Sequence, residues 1–221
     1  MSEARQALAE QLAEAVYQAL ADDLANQSRA LLVVSGGSTP VPFFKALAQK
    51  PLEWARVDIT LADERWVGEQ SSDSNAKLVR DNLLQGPAAA ANFVPLTSDA
   101  GTPEEGVAAV AEATAGLAWP ASVVILGMGG DGHTASLFPD SQELDLALST
   151  DEPLVAVRTP SQPQPRITFS ADRLHQAKRH ILHITGDDKR AVLANAMSGD
   201  DVRTLPIRAF LSCPLAIYWA P

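Results

Sequence analysis

The stretch Ala30-Leu31-Leu32-Val33-Val34-Ser35-Gly36-Gly37-Ser38-Thr39-Pro40 decides the fold. Five apolar residues without polar alternation are the pattern of a strand buried on both faces, as in a parallel sheet. The glycines and hydroxyl residues that follow punctuate a strand-to-helix turn, and Pro40 suits the start of the helix. Upstream, Leu8, Leu12, Val16, Leu20 and Leu24 recur every four positions within 3–25, an amphipathic helix. Downstream the alternation continues with a helix at 41–49, a strand at 57–62, a helix at 75–84, a short strand at 92–96 and a helix at 103–117. The apolar run Val123-Val124-Ile125-Leu126 is the next strand. Further strands are expected at 154–158, 166–169, 180–185 and 215–219, with a helix at 187–197. Strands interleaved with helices of this length imply an α/β chain, a three-layer αβα arrangement with a mostly parallel, Rossmann-like sheet. The Pro-rich stretch at 159–165 is a surface loop too short to separate domains, and 1–221 is expected to form a single domain.

At 221 residues the chain fits one α/β domain and is tight for two. Its 46% hydrophobic and 20% charged residues exclude disordered, collagen-like and low-complexity classes. Cys213 is the single cysteine, which excludes an internal disulfide framework and a cysteine-rich zinc site. No apolar stretch approaches the ~20 residues of a membrane span, and the N-terminus lacks a basic-then-apolar secretory pattern. A soluble protein in the reducing cytoplasm, without membrane partners, is expected. Lysine and arginine number 17 against 27 acidic residues, a net charge of −10 without any basic run. That argues against nucleic-acid binding, while a few local cations in a cleft can still hold a small anion.

In open α/β sheets ligands sit beyond the carboxyl ends of the strands, so the residues that follow each strand carry the chemistry. Ser35, Gly36, Gly37, Ser38 and Thr39 form the first such loop, where bare backbone N–H groups and hydroxyls can meet an anion. It is not a Walker A loop, because no Gly-Lys-Ser/Thr follows. At the second strand end stands Asp63-Glu64-Arg65-Trp66-Val67, in which Arg65 is a candidate donor to phosphate or carboxylate.

The third is Leu126-Gly127-Met128-Gly129-Gly130-Asp131-Gly132-His133-Thr134-Ala135-Ser136-Leu137-Phe138-Pro139. Gly127, Gly129 and Gly132 spell G-x-G-x-x-G, but Pro139 leaves no room for the helix that a dinucleotide site needs. The glycines instead let the backbone fold around one side chain, His133, the natural general base near neutral pH. Further on, Arg166 opens a strand and Lys189 follows one at a helix start, where a cation is unfavourable unless it meets an anion.

Other chemistries find less support. His180 and His183 lie three apart in a strand and face opposite sides, so they cannot share a metal. Gly36-Gly37-Ser38-Thr39-Pro40 fails the G-x-S-x-G elbow of serine hydrolases at its last position. Cys213, beside Pro214, reads as a core residue.

The segments 35–40, 63–67, Ser72-Asp73-Ser74-Asn75, 126–139 and Arg166-Ile167-Thr168, in this order, resemble the 6-phosphogluconolactonase family, which is related to glucosamine-6-phosphate isomerases/deaminases. The isomerases typically follow the loop histidine with Ile-Ala-Phe-Asn-Glu, whereas this chain has Thr134-Ala135-Ser136-Leu137-Phe138. The resemblance implies hydrolysis of 6-phospho-D-glucono-1,5-lactone, without cofactor or metal, by a monomer or weak homodimer. On that reading His133 activates water, and Asp131 orients the loop or stabilises the imidazolium. Backbone N–H groups at Gly129 and Gly130 meet the oxyanion. The 35–39 loop, Arg166 and Lys189 hold the phosphate, with Arg65 between phosphate and lactone. A sugar-phosphate isomerase/deaminase and a non-catalytic sugar-phosphate sensor are the alternatives.

Overall fold

The apolar runs of the sequence become the middle of one sheet. The computed structural model describes residues 2–221. Along the chain run α1 (Glu3–Asn26), β1 (Ala30–Val34), α2 (Val41–Ala48), β2 (Val57–Leu61), β3 (Asp63–Arg65), α3 (Asn75–Asn82), β4 (Asn92–Val94), α4 (Pro103–Thr114), β5 (Val123–Leu126), α5 (Leu144–Ser149), β6 (Leu154–Val157), β7 (Arg166–Phe169), α6 (Ala171–His175), β8 (His180–Thr185), α7 (Asp187–Met197), α8 (Arg208–Leu211) and β9 (Leu215–Ala220). Six strands pair in the order β4-β2-β1-β5-β8-β9, every pairing parallel. All residues of β1, β2 and β5 are buried, as the unalternated apolar composition of β1 and β5 requires; in β2 the polar Asp58 and Thr60 are buried against Arg29 and Val94 O.

The helices cover both faces. α1 packs against α2, and α2 against α3. The chain steps one way from β1 through β2 to β4 and the other way through β5, β8 and β9. Right-handed crossovers therefore place α2 and α3 on one face and α4 and α7 on the other. Leu12, Val16, Leu20 and Leu24 of α1 are buried as the four-residue spacing predicts, and Ser2 caps the helix through the Arg5 N–H. Phe43 and Phe44 of α2 are fully buried, each worth about 2–3 kcal/mol of apolar transfer. No helix among the described residues is long and apolar enough to cross a membrane.

The expectation for 154–158 and 166–169 needs correcting. β6 and β7 do not join the parallel sheet; with β3 they form a second, antiparallel sheet ordered β3-β7-β6. The Pro-rich loop closes β6 and β7 into a hairpin, and a short hairpin connection can only pair strands antiparallel. Ala62 is the pivot between the sheets: its N–H donates to Val34 O of β1 (2.8 Å), and its carbonyl accepts from Phe169 N of β7 (3.0 Å). The second sheet thereby leans over the carboxyl end of the first.

Candidate active site

At the carboxyl ends of β1, β5 and β8 lies a cleft of about 280 Å³, lined by residues of all three strand-end loops together with Asp63, Arg65, Asn75, Arg166, His183 and Lys189. The loop after β1 supplies backbone donors. None of the N–H groups of residues 36–39 donates to a protein acceptor among the described residues, and the hydroxyls of Ser38 and Thr39 are likewise unengaged. Ser35 differs from expectation. Its Oγ donates to Ile125 O (2.9 Å) and accepts from Gly127 N (3.1 Å), so this hydroxyl ties the end of β1 to β5 and is not free for a ligand.

The loop after β5 wraps around His133. Its Nδ1 lies 2.6 Å from Asp131 Oδ1, which also accepts the His133 backbone N–H at 3.1 Å. An ionised carboxylate only accepts, so Nδ1 carries the proton and Nε2 keeps its lone pair. Burial works against the charge of Asp131, but its bonds to His133 outweigh it and hold the carboxyl below the usual range. The imidazole stacks on Phe138, with ring centres 4.3 Å apart. Two glycines make this geometry possible. A side-chain carbon at Gly129 would sit 2.1 Å from His133 Nδ1 and 2.5 Å from Asp131 Oδ1, and Gly132 adopts φ +76° against Leu205.

The expected oxyanion donors are corrected in part. Gly129 N donates to His133 O at 2.9 Å, closing the loop on itself, so it offers no hydrogen bond to a ligand. Gly130 is exposed at the rim beside Lys189, with its N–H unengaged among the described residues.

The cations converge from three elements. Arg166 is buried, stacks 5.0 Å over Phe138, and reaches Asp63 Oδ2 at 3.4 Å and Gln162 at 3.3 Å. These are long bonds, and its Nε has no partner among the described residues. Burial, partly offset by Asp63, lowers its pKa. Arg65 is held by Asp73 O (2.7 Å) while its buried Nε also lacks a partner among the described residues. Lysine ion pairs among the described residues belong to Lys50, Lys77 and Lys178, leaving Lys189 unpaired at the cleft.

Sequence reasoning passed over the residues that hold this arrangement. Asp63 accepts from Ser136 Oγ (2.6 Å) as well as from Arg166, joining β3, the His133 loop and β7. Glu64 is fully buried and accepts from the N–H groups of Arg65, Asn75 and Ala76 at 2.7–2.8 Å, and from Ser74 Oγ at 3.2 Å. It caps α3, a structural role; burial raises its pKa against the pull of those donors. His183, at a strand end, lines the cleft as well. In the sequence it stands inside an apolar strand three residues from His180, a pattern that excludes a shared metal and gives no sign of the cleft.

Fold and cleft define a class: an α/β enzyme in which an oriented histidine and several underused cations meet at the ends of parallel strands. Residues 3–219 match the model of Glucosamine-6-phosphate isomerases/6-phosphogluconolactonase, and the chain belongs to this family. It is 46% identical over 212 residues to the 6-phosphogluconolactonase of Pseudomonas aeruginosa, covering 95% of this chain and 89% of that one. To the 6-phosphogluconolactonase of Rhizobium meliloti it is 46% identical over 220 residues, covering 97% and 95%. The crystal structure of a 6-phosphogluconolactonase from Shewanella baltica superposes with a TM-score of 0.97 at 41% identity, covering 98% of this chain and 94% of that one.

Proposed function

We propose that this protein hydrolyses 6-phospho-D-glucono-1,5-lactone to 6-phospho-D-gluconate, the second step of the oxidative pentose phosphate pathway. Relatives of that name, 46% identical over nearly the whole chain, support the substrate. The observation that carries the chemistry is the 2.6 Å contact between His133 Nδ1 and Asp131, which leaves Nε2 as a base facing a cleft of unpaired donors.

A δ-lactone is an activated ester, so a positioned base and water suffice. His133 Nε2 takes a proton from water as the water oxygen bonds to the lactone carbonyl carbon. The tetrahedral intermediate collapses by breaking the bond to the ring oxygen, and His133 returns the proton to that oxygen. Asp131 keeps the tautomer and balances the imidazolium charge. The N–H groups of 36–39, Arg166 and Lys189 bind the phosphate, and Arg65 stands between phosphate and lactone. With Gly129 engaged, Gly130 N–H remains the loop's donor to the oxyanion. The lone Cys213 supports a cytoplasmic setting, and a monomer or weak homodimer belongs to the same reading.

The test follows acid release at constant pH from freshly generated phosphogluconolactone, against the spontaneous rate. Acceleration over the blank is expected, with no ammonia from glucosamine 6-phosphate; the reverse pattern would favour the isomerase/deaminase. His133→Asn should lower kcat by ~10²-fold or more at nearly unchanged KM, and full turnover in that variant would remove His133 from the mechanism. Lys189→Ala should act mainly by raising KM, because the remote phosphate is held alike in ground and transition states.

A further inference from the structure

His183 is a histidine of the cleft that the reaction just described does not use. It is 5% exposed, on β8, and lines the same space as the 35–40 loop, Thr185 and Lys189. Its Nδ1 is buried without a partner among the described residues, and its ring meets Phe43 edge-on with centres 6.2 Å apart. Nε2 is therefore the ring nitrogen left to the cleft. Nε2 makes no hydrogen bond among the described residues either and, unlike Nδ1, is not fully buried, so a ligand in the cleft can reach it.

The strand register places this imidazole. Leu126 pairs with Leu182, so Gly127 stands beside His183; Val33 pairs with Val124, so Gly36 stands beside Gly127. At the ends of three adjacent strands, the row Gly36, Gly127, His183 carries a single side chain, and the Asn75 amide fills the space over Gly36, 1.8 Å from where a Cβ would stand. A carbon added at Gly127 would meet only Ser35 Cβ, at 3.9 Å. The ring thus borders the space left open at Gly127, next to Asn75 and at the foot of the loop whose N–H groups of 36–39 have no acceptor among the described residues. The charged groups around that space are Asp63, Arg65, Arg166 and Lys189, three cations to one anion. Burial keeps the ring uncharged, with its pKa lowered to about 4, so it can donate without adding to the crowding of positive charge.

We propose that His183 is a further anion-binding residue, donating from Nε2–H to the phosphate group that the 36–39 backbone and Lys189 hold. This rests on the phosphate reading above and adds a neutral donor on the floor of that subsite. A hydrogen bond to a charged acceptor is stronger than a neutral one, so its loss should weaken anion binding about tenfold.

The experiment titrates nitrogen-labelled protein with inorganic phosphate and follows both the backbone amides and the histidine ring nitrogens by proton–nitrogen correlation. The expected result is that the amides of 36–39 and a His183 ring nitrogen shift together with one dissociation constant. His183→Leu should then bind phosphate about tenfold more weakly and raise KM for the lactone by a similar factor. Amide shifts with a silent His183 ring would overturn the role of His183 and leave the phosphate subsite standing. Silence at both would overturn the subsite and this proposal with it. Should His183→Leu fail to fold, His183→Gln serves for affinity, and the ring shift in the unmodified protein needs no variant.

Discussion

At the scale of single residues, the base depends on an absence. Gly129 has no side chain, and the space it leaves is filled by His133 Nδ1 and Asp131 Oδ1, within 2.5 Å of where a Cβ would stand. Gly129→Ala should therefore push imidazole and carboxylate apart while leaving the sheet beneath intact. A fall in kcat of at least tenfold is expected, approaching the ~10²-fold or greater loss in His133→Asn, with a urea midpoint close to the parent. Normal turnover in Gly129→Ala would show that the loop can open without disturbing the pair. The histidine and its aspartate were legible in sequence because glycines cluster around them. The engagement of Gly129 N and of Ser35 Oγ was not, because each depends on a partner fixed by the folded path: the carbonyl of His133 and the end of β5.

Among the elements, legibility followed the source of burial. β1 and β5 are apolar in themselves and could be read directly, and β2 and β8 carry apolar residues at alternate or neighbouring positions that still mark a strand. β3 is Asp63-Glu64-Arg65, buried by polar partners from Ser74 to Arg166 that no local pattern announces. α5, α6 and α8, of four to six residues, are too short for a period to emerge. Glu64 is the test of how such an element is held. Its carboxylate serves the N–H groups of Asn75 and Ala76 at the start of α3 and that of Arg65 in β3. Glu64→Ala would leave three backbone donors and the Ser74 hydroxyl without their acceptor in a buried site, for a loss of about 3 kcal/mol or more, read as a lowered urea midpoint. A loss below about 1 kcal/mol would mean that water replaces the carboxylate and that α3 needs no such cap.

For the whole molecule, β8 makes stability depend on acid. Burial lowers the His183 pKa from 6.5 to about 4, and burial also lowers that of His180, against the pull of its bond to Leu174 O. A histidine depressed in the folded state is neutral there while the unfolded chain takes up a proton. Its stabilising effect is full above pH 6.5 and is lost as pH falls from 6.5 toward 4. Asp131, also depressed, acts in the same direction below the carboxylate range, whereas Glu64, raised by burial, opposes them. For His183 alone the loss amounts to about 3 kcal/mol across the window, at 1.36 kcal/mol per pH unit. Urea unfolding at steps between pH 7 and pH 4 should show stability falling with acid in the parent and falling less in His183→Leu. Equal slopes in the two would mean that His183 is charged in the folded protein or solvated within the cleft. Phosphate included in the same series should raise the parent's stability more than that of His183→Leu, because a ligand stabilises in proportion to its affinity for the folded state.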